Sequence, residues 1–269
     1  MPVDHYENFP VASFLLPARL RRPVEVIYAF ARSADDFADE GNEPDATRLA
    51  NLGRYESELA SIAAGNSTSS GLFSDLAGVI REHQLPIGLF RDLLDAFKQD
   101  VARKRYADFA ELMDYCRRSA NPVGRLMLHL FRAPSEGNLE RSDAICSSLQ
   151  LINHWQDVAV DWQKGRVYLP REDLARFGVS EAQIGEGRAD GQWSALMAFQ
   201  CQRARAMMQS GAPLGRALPG RIGLELRAIV AGGMRIADKI DAARGDVFRH
   251  RPKLQALDWA RIALAAVLK

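Results

Sequence analysis

Two acidic boxes, Asp35-Asp36-Phe37-Ala38-Asp39 and Asp157-Val158-Ala159-Val160-Asp161, stand roughly 120 residues apart in this chain. Each places aspartates at i and i+4, one helical turn apart on a single face. Like charges at that spacing cost a helix roughly 0.2–0.5 kcal/mol per pair, so the pattern asks for a compensating cation. Magnesium suits it, because Mg²⁺ takes one or two protein carboxylates and completes its shell with water and phosphate oxygens. Two such boxes facing each other across a cavity would hold a cluster of Mg²⁺ ions around a diphosphate.

An isolated acidic i,i+4 pair is ordinarily a solvated helix face, and the flanking residues argue against that here. Tyr28, Arg32, Asp35 and Asp39 follow the 4-3-4 spacing of one helical stripe, and Gln150, Asn153, Asp157 and Asp161 follow 3-4-4, with His154 alongside. Neither stripe has the interleaved Lys and Glu of a salt-bridged surface. The remaining faces are apolar, with Val26, Ile27, Phe30, Ala34 and Phe37 in one and Ile152, Trp155, Val158, Ala159 and Trp162 in the other. Both segments read as core helices with a polar seam.

The elements that must position these seams are helices throughout. Pro23 can open a helix running to Glu40, with Gly41 just past its end. Further helices are expected from about residue 44 to 64, 72 to 83, 86 to 103 and 109 to 119, with Asn121-Pro122 as punctuation. Ser142 is the expected N-cap of the helix that carries the second box to Gly165. The stretch 178–191 reads as glycine-rich and irregular. Long helices over about 193–216 and 222–244 and a last one over 257–268 close the chain. No stretch rich in Pro, Gly or Ser separates two units, so a single all-α domain over 1–269 is predicted.

Composition bounds the partners. Thirty-five basic against 34 acidic residues leave no basic excess, which argues against general nucleic-acid binding. Cys116, Cys146 and Cys201 show no CxxC pairing, consistent with a reduced, cytoplasmic compartment. No secretory leader and no membrane-spanning run are expected.

The boxes and their flanks resemble the squalene/phytoene synthase family of head-to-head isoprenoid diphosphate synthases. The resemblance rests on His5 with Asn8-Phe9, the block from Tyr28 to Asp39, Ala120-Asn121-Pro122-Val123-Gly124, Gln150-Leu151-Ile152-Asn153, the second box, Lys164-Gly165-Arg166-Val167-Tyr168-Leu169-Pro170, and Gly245-Asp246-Val247-Phe248. It implies an all-α, single-domain isoprenoid-synthase helical bundle with a central cavity, Mg²⁺ as cofactor, and ionisation of an isoprenoid diphosphate. Two positions depart from the family pattern: Gln156 stands where most members have arginine, and Tyr115-Cys116-Arg117-Arg118-Ser119 precedes the Ala120–Gly124 turn. With the opening residues His5 to Pro10, these departures resemble the bacterial hydroxysqualene synthase branch of hopanoid biosynthesis, which acts on presqualene diphosphate. A third departure is Gly245, where the family's C-terminal motif has tyrosine.

Asp35, Asp39, Asp157 and Asp161, with Asn153, are thus the expected metal ligands, and the four aspartates are expected to be dispensable for folding. Arg32 and Arg166 would donate charge-assisted hydrogen bonds to phosphate oxygens. Tyr28 would orient a phosphate, and His5, Asn8, Gln150 and Tyr168 complete the expected substrate contacts. Gln156, a neutral amide one position from Asp157, would face the pocket wall and position a water near the carbocation. Phe30, Phe37, Leu126, Leu130 and Leu149 are candidate pocket walls, or plain core. Two alternatives stand beside water capture: condensation of two prenyl diphosphates, and a non-catalytic family member acting as an assembly factor. Burial of a thirty-carbon chain at ~0.8 kcal/mol per CH₂ gives about 24 kcal/mol, above the affinity ceiling of about 18–21. Such a product leaves slowly into water, so release at a membrane surface is expected, with 260–268 as the apolar candidate contact.

Overall fold

A computed structural model describes residues 16–69 and 71–268; His5 and Asn8 lie outside them. The chain runs as helices α1 (Ala18–Asp39), α2 (Asp45–Ala63), α3 (Gly71–His83), α4 (Ile87–Ala102), α5 (Phe109–Ser119), α6 (Asn121–Leu130) and α7 (Glu136–Gln156). It continues with α8 (Val158–Gln163), α9 (Arg171–Phe177), α10 (Glu181–Gly185), α11 (Gly191–Gly211), α12 (Leu214–Ala217), α13 (Gly220–Ala242) and α14 (Ala256–Leu268). Among the described residues the only β pairing is an isolated bridge between Arg105 and Val167, and no helix is long and apolar enough to cross a membrane.

Two apolar clusters carry the bundle. In the N-terminal one, α1 lies on α2, α3 and α4, and Phe30 packs edge-on against Phe73 and Phe90 at 6.2 and 5.5 Å between ring centroids. In the larger one, α7 lies against α11 and α13, around the fully buried Trp155 and Trp193. The first box leaves the first cluster at the end of α1, and the second leaves the other at the end of α7. Phe30, Leu126 and Leu130 are core in the first cluster rather than pocket wall. Phe37 meets Tyr55 edge-on at 5.3 Å, and Leu149 is half-buried against the larger cluster.

Several element boundaries differ from the sequence reading. Helix α1 begins at Ala18, so Pro23 sits inside it, on the buried face, and only the hydrogen bond to the Arg19 carbonyl is lost. Asn121 and Pro122 do mark the break after α5 at Ser119, and they also begin a further helix, α6, where proline in the first turn forfeits no bond. Ser142 is not an N-cap: α7 starts at Glu136, and Ser142 is buried where α6 crosses α7. A β-carbon on Gly124 would fall 2.3 Å from the Ser142 hydroxyl, so the glycine permits that crossing. The irregular stretch 178–191 contains α10, capped by Ser180.

Candidate active site at the facing acidic boxes

The second box straddles a break. Helix α7 ends at Gln156, Asp157 takes φ −106° and ψ 12°, and α8 resumes at Val158. Yet Asp157 N donates to the Asn153 carbonyl and Asp161 N to that of Asp157, both at 2.9 Å, so Asn153, Asp157 and Asp161 stay in phase across the kink. Helix α8 then closes on glycine. Gly165, at φ +72°, donates to the Trp162 carbonyl, and Arg166 N donates to the Asp161 carbonyl. This paired arrangement reverses the chain immediately after the box. It sends Lys164 and Arg166 back to Asp39 of the first box, at 2.7 and 2.6 Å.

Asp39 is itself fixed, because it is the last residue of α1. Arg48 from α2 donates to the Phe37, Ala38 and Gly41 carbonyls, satisfying the helix end that water would otherwise reach. The two boxes therefore face each other, bridged by the cations that follow the second one.

Charge is unevenly balanced across the boxes. Burial, then the neighbouring Asp39, pushes Asp35 up to about 7. Burial, then Asp157, pushes Asp161 up to about 8. Burial also acts on Asp39, but Arg166 and Lys164 outweigh it and hold that carboxyl below its ordinary value. Asp157 is paired with Arg251, which donates from Nη2 to Oδ2 at 2.9 Å and from Nε to Oδ1. Asp39 and Asp157 thus each carry ion pairs in the metal-free protein, whereas Asp35 and Asp161 are the buried, electrostatically raised members of their boxes. Arg32 reaches Asp35, Asp36 and Glu40 at 3.3, 2.7 and 2.6 Å, neutralising the outer side of the first box.

Behind Arg166 lies a buried polar network that the sequence did not disclose. Asp100 of α4 accepts from the Tyr115 hydroxyl at 2.9 Å and the Tyr168 hydroxyl at 2.8 Å. Arg166 Nη2 donates to the Asp100 backbone carbonyl at 3.0 Å. Burial pushes Asp100 up to about 6 against the opposing pull of Arg166 and the two hydroxyls. Tyr168 stacks on His154 with ring centroids 3.6 Å apart, and burial followed by Arg166 drives His154 down to about 3, so it is neutral at pH 7.

Two expected site residues are placed differently. Gln156 does not face a pocket: it is buried, and its amide donates to the Pro252 carbonyl. The kink at Asp157 turns it toward the C-terminal segment. Tyr168 is buried with its hydroxyl committed to Asp100, so it supports Arg166 rather than lining an open subsite. Tyr28 and Asn153 are half-buried on their seams, and the Gln150 amide lies 3.3 Å from the His154 ring.

The missed residues are Asp100, Tyr115, Lys164 and Arg251. Lys164 stands in the Lys164–Pro170 block, and Tyr115 opens the Tyr115–Ser119 departure from the family pattern. Asp100 and Arg251 carried no local signal, since Arg251 meets Asp157 from 94 positions away. Gly245 is explained by its backbone: φ is +75°, and a β-carbon there would come 2.7 Å from Met197 Cβ, which leaves no room for the tyrosine of the motif.

Among the described residues no three His, Cys, Asp or Glu side chains enclose a ready-made metal cage. The donor set nonetheless fits Mg²⁺, which needs only one or two carboxylates and draws its other ligands from water and phosphate. Burial and repulsion push two carboxyls up to about 7 and about 8, an unfavourable state for the ionised forms that a divalent cation would relieve. Arg166 Nε is buried without a hydrogen-bond partner, a donor available to an anion bound between the boxes.

The sequence profile of squalene/phytoene synthase matches residues 3–258. Hydroxysqualene synthase of Rhodopseudomonas palustris is 33% identical over 263 residues, covering 97% of this chain and 88% of that one. Phytoene synthase of Mycobacterium tuberculosis is 31% identical over 263 residues, covering 97% and 86%. The crystal structure of squalene synthase HpnC from Alicyclobacillus acidocaldarius superposes with a TM-score of 0.83 at 36% identity, over 89% of this chain and 90% of that one. A ligand complex of a dehydrosqualene synthase shares the fold with a TM-score of 0.85 at 23% identity, over 94% and 88%.

Proposed function

The chain belongs to the squalene/phytoene synthase family, and from that premise we propose that it ionises presqualene diphosphate and lets water capture the cation, giving hydroxysqualene. The observation that carries the diphosphate chemistry is the pair of facing boxes bridged through Asp39 by Lys164 and Arg166. Similarity to hydroxysqualene synthases over nearly the whole chain favours the water-capture outcome. The phytoene synthase relatives keep condensation of two prenyl diphosphates as the second reading.

Asp35, Asp39, Asp157, Asp161 and Asn153 would hold Mg²⁺, which supplies Lewis-acid stabilisation of the charge on the leaving oxygens. The chain's own cations act with it. Arg166, Lys164 and Arg251, now neutralising Asp39 and Asp157, would turn toward phosphate oxygens as the carboxylates take up metal. Asp100, Tyr115 and Tyr168 keep Arg166 aimed while its partner changes. The bond from the cyclopropylcarbinyl carbon to the diphosphate oxygen breaks, the cation rearranges, one cyclopropane carbon–carbon bond opens as a water oxygen bonds to carbon, and that water's proton passes to diphosphate or solvent.

The test is incubation with Mg²⁺ and either presqualene diphosphate or farnesyl diphosphate in ¹⁸O-labelled water, with products identified by mass spectrometry. The expected product from presqualene diphosphate is a C30 alcohol carrying solvent oxygen. A hydrocarbon without label, or turnover of farnesyl diphosphate alone, would replace this assignment with a condensing synthase.

A further inference from the structure

The last helix is apolar on the side that faces away from the protein. Asp258, Ile262 and Ala266, four residues apart, bury the inner face of α14, and Asp258 pairs there with Arg235 and Lys239 at 2.7 and 2.5 Å. On the outer face Leu257, Leu264, Val267 and Leu268 are 65, 60, 70 and 74% exposed, and Trp259, at the edge of the buried stripe, is 43% exposed. Large apolar side chains exposed elsewhere among the described residues are single and scattered: Leu49, Val123 and Val160. Isolated ones need no explanation, whereas a contiguous face marks an interaction surface. Arg261 is the one exposed charge within α14.

We propose that α14 docks in the plane of an anionic lipid surface. Length excludes a span: 13 residues give about 20 Å of helix against a hydrocarbon core of about 30 Å. A second copy of the chain is a poor occupant, because a strip about 20 Å long and about 10 Å wide offers about 200 Å², against about 800 Å² per partner in a standard interface. Charge favours a bilayer. Residues 244–269 hold six Lys and Arg against two Asp, a net +4 that is +3 once Arg251 is set against its partner Asp157, while the whole chain carries +1 and the remainder therefore −3. A helix with an apolar face, an interfacial tryptophan and a basic surround binds anionic headgroups through both terms. The segment leading into α14 also carries Arg251 and Pro252, which hold Asp157 and Gln156. The docking face and the second acidic box are thereby joined by one short strap.

Vesicle flotation tests this without substrate. The intact protein is mixed with vesicles of phosphatidylcholine alone or of phosphatidylcholine with phosphatidylglycerol. Wild type should float with the mixed vesicles, less with the neutral ones, and less again at high salt. Leu264→Glu/Val267→Glu should cut partitioning at least about tenfold with an unchanged melting temperature, because both side chains are exposed. Arg261→Glu should weaken binding to mixed vesicles only. Wild type that never floats, or a double variant that floats like wild type, overturns the proposal. So does a concentration-dependent dimer in sedimentation velocity that the double variant abolishes, which would give the face to a second copy.

Discussion

Within one acidic box, two aspartates of the same type and spacing are held in opposite electrostatic states. Asp157 is neutralised by Arg251, whereas Asp161 is buried beside a like charge and is pushed up to about 8. Asp161→Asn should therefore raise the stability of the metal-free protein at pH 8, and Asp157→Asn should lower it by up to about 1 kcal/mol. Both should reduce turnover at least ~100-fold. Thermal melts with and without Mg²⁺ separate the two effects. The same physics sets a pH dependence. Asp35 and Asp161 bind a proton more tightly folded than unfolded, since their folded values of about 7 and about 8 exceed the ordinary 3.8. That contribution is fully present below about pH 4 and is lost as pH rises through 7 to 8. Metal-free protein should accordingly melt at a lower temperature at about pH 8.5 than at about pH 5.5, and Asp161→Asn should flatten the trend. Gln156→Leu gives a third residue-scale expectation. It leaves a buried carbonyl unpaired at a cost of about 1–3 kcal/mol, and the product ratio should stay unchanged. A shift toward hydrocarbons with full stability would restore a water-positioning role for the amide.

At the scale of elements, the geometry of the candidate site hangs on how two helices stop. Helix α8 stops at Gly165 in the left-handed region, and that turn aims Lys164 and Arg166 at Asp39. A β-carbon at Gly165 meets nothing within 4 Å, so Gly165→Ala carries conformational strain alone, about 1–2 kcal/mol. Its further signature should be a raised KM as Arg166 loses its aim. At Gly245 both strain and a collision with Met197 apply, so Gly245→Ala should destabilise more than Gly165→Ala in chemical denaturation. An equal loss at both positions would show that the Met197 contact relaxes freely.

For the molecule as a whole, the site is built from two apolar clusters that present one box each, with cations placed between them. Mg²⁺ and diphosphate each supply what the other needs, so calorimetry should show weak Mg²⁺ binding alone and tighter binding with a non-hydrolysable diphosphate analogue. Arg166→Ala should reduce that coupling more than Arg32→Ala, because Arg166 is buried between Asp39 and Asp100, whereas Arg32 lies on the outer side of the first box. Strong, analogue-independent binding of one transition metal would point to different chemistry.

The all-α class, the two seams and the bounds of α2, α4 and α5 were legible in the chain because helical periodicity, glycine and proline act within a few residues of themselves. The resemblance then brought Arg166 into the expected site. The kink at Asp157, the inward turn of Gln156 and the Asp100–Tyr115–Tyr168 network were not legible. Each depends on contacts between segments distant in the chain: Asp157 with Arg251, Gln156 with Pro252, and Asp100 with Tyr168. Local sequence sets which face of a helix is polar; only the packing of α4, α7, α8 and the C-terminal strap determines which of those polar groups is already spoken for and which awaits a ligand.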